Sequence, residues 1–174
     1  MVEKIAILVP TLQLEDVLEI AGTAVLGRPH LADALVRVGA AVDRRAAFAL
    51  YLSRGCPTYL ETWSPPLEDA IAIVRAAGGV AVLAHPWGRG SRLTRERFDE
   101  LKAAGLQGIE VDHVEHDEQA RRELQQIAAN LDLVATGSSD YHGARKPNRL
   151  GCCTTAPDQY KRLRDLFGAA RTAA

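Results

Sequence analysis

The residues best suited to chemistry in this chain are histidines and aspartates that follow apolar segments. The stretch TGSSDYHG places Asp140 and His142 two residues apart, directly after the apolar run LDLVA. His85 follows the apolar segment GVAVLA, and Asp112 and His113 come directly after GIEV. Neutral imidazole and carboxylate groups are common ligands of Zn, Mn and Fe ions. These residue types therefore favour a divalent metal site (Mn, Zn or Fe), provided that the fold brings the three segments together.

Helices and strands alternate in the second part of the chain, and this alternation decides where the candidate side chains lie. The patterns predict helices in PPLEDAIAIVRAAGG, TRERFDELKAAG and DEQARRELQQIAANL, each followed by a strand, in GVAVLAHP, LQGIEVDH and DLVATGSSD. Ser64 is expected to cap the first of these helices. The unbroken apolar run of the first strand predicts burial on both of its faces. Alternation with short connections is typical of a parallel α/β sheet.

The carboxyl ends of these strands are expected to form one functional edge, because sites in parallel α/β proteins are built there. His85, the Asp112-His113 pair and Asp140 would then meet at the same rim. Residues two apart in an extended segment lie on the same side, so Asp140 and His142 can reach one metal ion. Pro86 predicts an extended backbone at His85.

Each of these residues also has an ordinary structural interpretation. His85 can be a hydrogen-bonded loop residue, and Asp140 can be a cap or turn residue after the Gly-Ser-Ser run. His113 and His116 can simply flank the start of the next helix. The arrival of acid and imidazole groups at three separate strand ends favours the metal site, but spacing alone leaves both interpretations open.

The first part of the chain has a different character. Residues 14–52 are predicted to be helical, with Pro29 in a first helical turn and Asp43 as the cap of RRAAFALYL. We therefore expect a small helical subdomain in residues 1–60 and an α/β unit in residues 61–174.

Composition narrows the class of protein. A net charge of −1 argues against binding nucleic acid or a membrane surface through bulk electrostatics. No apolar run approaches the roughly 18 residues that a membrane span requires. The chain has three cysteines, an odd number that forms no disulfide framework, and this favours a cytoplasmic location.

Several motifs in this order resemble the PHP (polymerase and histidinol phosphatase) superfamily. GGVAVLAHP, GIEVDHVEHD and TGSSDYHG are similar to the later motifs of its stand-alone phosphoesterases, which include 3',5'-nucleoside bisphosphate phosphatases and 5'-3' exoribonucleases. GRPHLADALV and AFALYLSRGCPTYL resemble the helical segment inserted in that subgroup. The resemblance implies an α/β fold: the C-terminal part of a distorted, TIM-like (β/α)7 PHP barrel with an inserted small helical subdomain.

The same resemblance assigns roles to individual residues. It implies that His85, Asp140 and His142 are metal ligands, and it leaves the catalytic residue unknown. The implied activity is metal-dependent hydrolysis of phosphomonoester or phosphodiester bonds of nucleotides, in which the bound metal lowers the pKa of a water molecule. The residues expected to contact the phosphoester substrate are basic or imidazole side chains: Arg28, His30, His113, His116, Arg145 and Lys146. For His113 and His116, the alternative is that they support the metal ligands from behind.

The early part of the chain departs from this resemblance. The family's first strand with His-x-His, and the Asp, His and bridging Glu that follow it, have no counterpart here. Truncation, a second polypeptide that supplies the rest, or loss of activity would each explain this. We expect an impaired enzyme that forms a homo-oligomer or pairs with the missing barrel half, because an incomplete sheet exposes an apolar edge. The alternative is a non-catalytic nucleotide- or phosphate-binding module or a structural remnant, in which the loop GARKPNR binds phosphate or is merely solvated.

Overall fold

Ser64 marks a division of the chain into two units, Met1–Ser64 and Pro65–Ala174, in a computed structural model. The structure describes residues 1–61, 63–88, 92–143 and 148–173, with side chains up to residue 170. Arg145 and Lys146, two of the predicted substrate residues, lie outside the described residues.

The first unit is helical, as predicted for residues 14–52. Asp43 caps its helix as expected, because its carboxylate accepts the N–H of Ala46 at 2.7 Å. Leu12, Leu35 and Leu52 are completely buried in the core of this unit. The helices are α1 (Val2–Leu8), α2 (Leu14–Ala21), α3 (Arg28–Arg37) and α4 (Arg44–Ala47), and a π-helical segment (Phe48–Leu52) follows α4.

The second unit alternates helices with the strands of a parallel sheet. Within the described residues its sheet has three strands in the order β1-β2-β3, and both pairings are parallel. The predicted α/β class with a parallel sheet is therefore confirmed, whereas the partial seven-stranded barrel stays a prediction. The elements are α5 (Leu67–Ala76), β1 (Val82–Leu83), α6 (Arg95–Ala103), β2 (Gly108–His113), α7 (Glu118–Asn130), β3 (Val134–Ser138) and α8 (Pro157–Ala173).

The core of the second unit packs β2 against helices α6 and α7. Ile109 of β2 is completely buried in one apolar cluster with Phe98 of α6 and Leu124 of α7. Helices α6 and α7 begin where the sequence predicts, since Thr94 and Asp117 accept N–H groups of their first turns. Packing of α6 and α7 in one apolar cluster with Ile109 thus fixes β2, whose carboxyl end carries Asp112 and His113.

Two sequence predictions for this unit are wrong. Ser64 does not cap α5: the helix begins at Leu67, Pro66 precedes it, and no side chain caps it. The two prolines place Ser64 too far from the first helical N–H groups. β1 is not buried on both faces, because it is a two-residue strand at the sheet edge and Val82 is 37% exposed.

None of the helices in the described ranges has both the length and the apolar character needed to cross a membrane.

Candidate functional site

Five candidate side chains from three strand ends lie next to one another at the carboxyl rim. The rings of His85 and His113 have centroids 5.4 Å apart, and those of His113 and His116 are 5.3 Å apart. Asp140 Oδ2 lies 3.9 Å from Nε2 of His113. The other carboxylate oxygen of Asp140, Oδ1, lies 2.9 Å from Nε2 of His142. The parallel sheet therefore brings these residues together, and their individual roles stay predictions.

The backbone is strained at two of these residues. His85 has a φ of +30° and Asp140 a φ of +45°, and Asp132 is the third non-glycine residue with positive φ in the described ranges. Positive φ is uncommon for non-glycine residues and collects at functional sites. The prediction of an extended backbone at His85, before Pro86, is wrong: His85 has a φ of +30°, and its carbonyl accepts the N–H of Gly88 at 2.9 Å in a tight turn.

Glu110 is a residue of this site that the sequence analysis missed. It lies within β2 and is 7% exposed, and its Oε2 accepts the N–H of His85 at 2.7 Å. This hydrogen bond holds the strained turn at the end of β1 against β2. The available signal was a carboxylate inside the apolar strand GIEV, since Glu is almost never buried without a partner.

The ring of His113 is completely buried at the rim. Its Nδ1 accepts the N–H of Glu115 at 3.1 Å, so the neutral ring carries its proton on Nε2. That Nε2 has no hydrogen-bond partner within the described residues. Burial lowers the pKa of His113; the charge of Glu110 opposes this effect, and the neighbouring His116 adds to it.

His116 has the opposite hydrogen-bonding state. Its Nδ1 lies 2.9 Å from the carbonyl of Val111, which can only accept, so Nδ1 carries the proton and Nε2 carries a lone pair. This Nε2 is buried and also lacks a hydrogen-bond partner in the part of the chain that the structure describes. Metal-binding histidines commonly donate their other ring N–H to a backbone carbonyl in this way.

The segment after β3 presents the predicted Asp-x-His pair. The N–H of Asp140 donates to Oγ of Ser138 at 3.2 Å, which turns the chain at the rim. The side chain of Asp140 is 16% exposed and that of His142 is 56% exposed. Gly137 allows this segment to pass close to its neighbour, because a Cβ there would lie 2.4 Å from the carbonyl oxygen of Thr154.

Asp112 does not join the imidazole groups, although it sits beside His113 in sequence. Its Oδ1 pairs with Arg121 at 2.8 Å, and its Oδ2 accepts the N–H of Thr154 at 3.3 Å. Asp112 therefore stabilises the rim by linking β2 to α7 and to the segment after β3.

Arg28 and His30 belong to the helical unit and make contacts there. The guanidinium of Arg28 donates to the carbonyl of Leu52 at 3.3 Å and lies 5.6 Å from the ring centre of Tyr59. His30 is buried, and its Nδ1 accepts the N–H of Gly27 at 3.1 Å. Their contact with substrate stays a prediction.

The chemistry of the rim fits a divalent metal ion, and its geometry fits in part. Imidazole nitrogens and a carboxylate are suitable donors, and the buried lone pair on His116 Nε2 lacks a partner. Across the described ranges, however, no three His, Cys, Asp or Glu side chains are already arranged to hold one ion. Metal binding would require these side chains to turn towards a common point.

Comparison with known proteins identifies relatives of this chain, although no family model matches it. It is 36% identical over 126 residues to the 3',5'-nucleoside bisphosphate phosphatase of Chromobacterium violaceum, covering 71% of this chain and 44% of that protein. It is 30% identical over 117 residues to the 5'-3' exoribonuclease of Haemophilus influenzae, covering 66% and 43%. This chain is a relative of the nucleoside bisphosphate phosphatases and 5'-3' exoribonucleases.

A solved structure supports the same relationship. A candidate metal-dependent phosphoesterase from Bifidobacterium adolescentis matches with a TM-score of 0.84 and 38% identity, over 95% of this chain and 60% of that one. The predicted resemblance to this phosphoesterase subgroup is thus confirmed, and it is consistent with the PHP superfamily. The present chain spans about half the length of the curated proteins that it matches, 44% in the case of the phosphatase.

Proposed function

We propose that this chain forms part of a metal-dependent phosphoesterase that hydrolyses phosphoester bonds of nucleotides. The observation that carries the proposal is the pair of buried imidazoles, His113 and His116, whose Nε2 atoms lack partners in the described structure. Leaving a buried polar atom without a hydrogen bond costs about 1–3 kcal/mol, so such atoms call for a functional explanation. The relatives named as a phosphatase and an exoribonuclease support a phosphoester as that explanation.

A divalent ion would be held by His85, Asp140 and His142, and the lone pair on His116 Nε2 would be available to it as a further donor. When bound, the ion would polarise a phosphoryl oxygen and lower the pKa of a water molecule. Its identity among Mn, Zn and Fe is open, because imidazole and carboxylate suit all three.

The protein's own residues prepare this rim. Glu110 holds the backbone of His85 in its strained turn through the 2.7 Å hydrogen bond to the His85 N–H. Nε2–H of neutral His113 can donate to an anionic oxygen, since its Nδ1 already accepts a backbone N–H. Burial around His113 removes water, and electrostatic interactions at the rim are stronger as a result.

The described residues do not assemble three ligands, and this favours slow hydrolysis by the chain alone. The same observation supports a second candidate function, a non-catalytic module that binds a nucleotide or phosphate. The two candidates differ in turnover: only the first releases inorganic phosphate from a nucleoside 3',5'-bisphosphate.

Titration with Mn²⁺ tests the proposal. We expect the protein to bind Mn²⁺, and Asp140→Asn to weaken binding at least tenfold because a charged ligand is lost. Asp132→Asn is the matched control, since Asp132 also has positive φ but pairs with Arg162 instead. Equal Mn²⁺ affinity in wild type and Asp140→Asn would contradict the proposed site, and phosphate release by the same samples separates the two functions.

A homo-oligomer, or a complex with the remainder of a barrel, is also part of the proposal. Strand β1 lies at the sheet edge, and Val82 and Val74 beside it are 37% and 38% exposed. Such an edge pairs readily with another chain. Light scattering should therefore give a mass above that of one chain, and a monomer would contradict the homo-oligomer. A cytoplasmic location stays a prediction.

A further inference from the structure

Arg121, on the first turns of α7, binds the backbone behind the two buried imidazoles. Its Nε donates to the carbonyl of His116 at 3.0 Å, and its Nη2 donates to the carbonyl of His113 at 2.9 Å. Its Nη1 pairs with Asp112 Oδ1 at 2.8 Å. One guanidinium thus contacts both ends of the turn from His113 to His116.

The planar fork of arginine suits this task. Its donors have fixed directions and its charge does not titrate, so it can hold two carbonyls in one relative orientation. The turn is closed by a hydrogen bond from the N–H of His116 to the carbonyl of His113, 3.1 Å long. Without Arg121, the turn would keep this bond and the contacts of its two rings, but it would lose the group that ties its two end carbonyls together.

Arg121 is itself anchored from the opposite side. Asp112, its ion-pair partner, also accepts the N–H of Thr154 at 3.3 Å. Nη2 of Arg121 lies 3.7 Å from Sγ of the buried Cys153. These contacts come from β2 and from the segment after β3, so the guanidinium has a defined place before any ligand binds.

The turn gives the two imidazoles opposite hydrogen-bonding states. Nδ1 of His113 accepts the N–H of Glu115, whereas Nδ1–H of His116 donates to the carbonyl of Val111. Both contacts lie within or next to the segment that Arg121 holds. A rotation of this segment would exchange or remove them.

We infer that Arg121 is a positioning residue, which fixes the turn from His113 to His116 so that the rim offers one imidazole donor and one imidazole acceptor. This inference rests on the proposed function of the rim. The acceptor, Nε2 of His116, suits a cation, and the donor, Nε2–H of His113, suits an oxygen of a phosphate. Two donors would repel the cation, and two acceptors would repel the phosphate. The substrate class that matches the pair is a phosphoester oxygen bound to a metal ion.

Long-range ¹H–¹⁵N NMR spectra of the imidazole rings test the inference on metal-free protein near pH 8. In wild type we expect His113 to be protonated at Nε2 and His116 at Nδ1. In Arg121→Met we expect both rings to show averaged tautomers. Arg121→Lys should restore the wild-type pattern only in part, because lysine lacks the fork. Arg122→Met is the matched control, since its neighbour Arg122 pairs with Glu118 and should leave both rings unchanged.

Asp112→Asn provides a second variant if Arg121→Met does not fold, because it removes the ion pair and keeps the guanidinium. Wild-type tautomers in every folded variant of Arg121 and Asp112 would overturn the inference. Mn²⁺ titration distinguishes failure of the inference about Arg121 from failure of the proposed function. We expect roughly 10- to 100-fold weaker Mn²⁺ binding in Arg121→Met, because Nε2 of His116 would no longer be held towards the ion and loss of such outer support typically has this effect. Absence of Mn²⁺ binding in wild type would overturn the function, whereas unchanged imidazole spectra with normal Mn²⁺ binding would overturn only the role of Arg121.

Discussion

The helical unit and the sheet unit treat their buried polar groups differently. In the helical unit, buried His30 accepts the N–H of Gly27, and the hydroxyl of buried Thr58 donates to the carbonyl of Tyr51. In the sheet unit, His113 and His116 each keep one ring nitrogen without a partner among the described residues. His30 and Thr58 thus find hydrogen-bond partners within the helical unit, while the two histidines at the sheet rim retain hydrogen-bonding or ligand capacity.

Backbone strain shows the same contrast. The residues with positive φ that the structure describes in the helical unit are glycines: Gly22, Gly39 and Gly55. In the sheet unit, His85 and Asp140 adopt positive φ, where glycine would be less strained. Two of the three described non-glycine residues with positive φ thus lie at the rim, as expected where strain collects at a functional site, and the third, Asp132, pairs with Arg162.

Two glycine substitutions should give the largest difference between the units. Gly137→Ala would place a Cβ 2.4 Å from the carbonyl of Thr154, so backbone must move at the rim. We expect a loss of about 3 kcal/mol in the free energy of unfolding, as for severe overpacking. Gly39→Ala meets no atom within 4 Å and suffers only from its φ of +75°, at about 1–2 kcal/mol. Urea denaturation measures both, and equal losses would contradict the close approach at Gly137.

Two histidine substitutions should give a smaller difference. His30→Leu removes a satisfied hydrogen bond, and we expect it to lower the free energy of unfolding by about 1 kcal/mol. His113→Leu removes a nitrogen without a partner but leaves the N–H of Glu115 without its acceptor, so the two effects largely offset. We therefore expect little change in stability for His113→Leu. A greater loss for His113→Leu than for His30→Leu would show that the His113 ring is structural.

The dependence of stability on pH should show the smallest effect. Burial holds the pKa of His113 below its ordinary 6.5 in the folded state. The unfolded chain therefore binds a proton more readily, so the stability contributed by neutral His113 is complete above pH 6.5 and is lost as the pH falls through the folded pKa. We expect His113→Leu to lose less stability than wild type between pH 7.5 and pH 5.5. Identical losses in urea denaturation would contradict the depressed pKa.

The sequence predicts the supporting frame well because its signals are local. Caps such as Asp43, Thr94 and Asp117 act within a few residues of the helix that they start, and their side-chain hydrogen bonds are present. The common rim follows from the parallel alternation alone. The edge position of β1 could not be predicted, because it depends on which strands lie beside it and not on its own apolar residues.

The sequence is least informative about contacts between distant segments. Glu110 and His85 lie 25 residues apart, and nothing local indicates that the carboxylate holds the His85 N–H. The contacts of Arg121 with Asp112 and His113 likewise depend on the packing of α7 on β2. Residue types at strand ends thus indicate which groups meet, whereas their orientations and tautomers depend on the folded structure.

The most direct test of a metal centre at the rim is anomalous X-ray diffraction from crystals grown with Mn²⁺. We expect an anomalous peak at the carboxyl ends of the three strands, at bonding distance, roughly 2.0–2.2 Å, from the side chains of Asp140 and His142. A peak at another place on the protein, or well-ordered density for both side chains with no peak beside them, would contradict it.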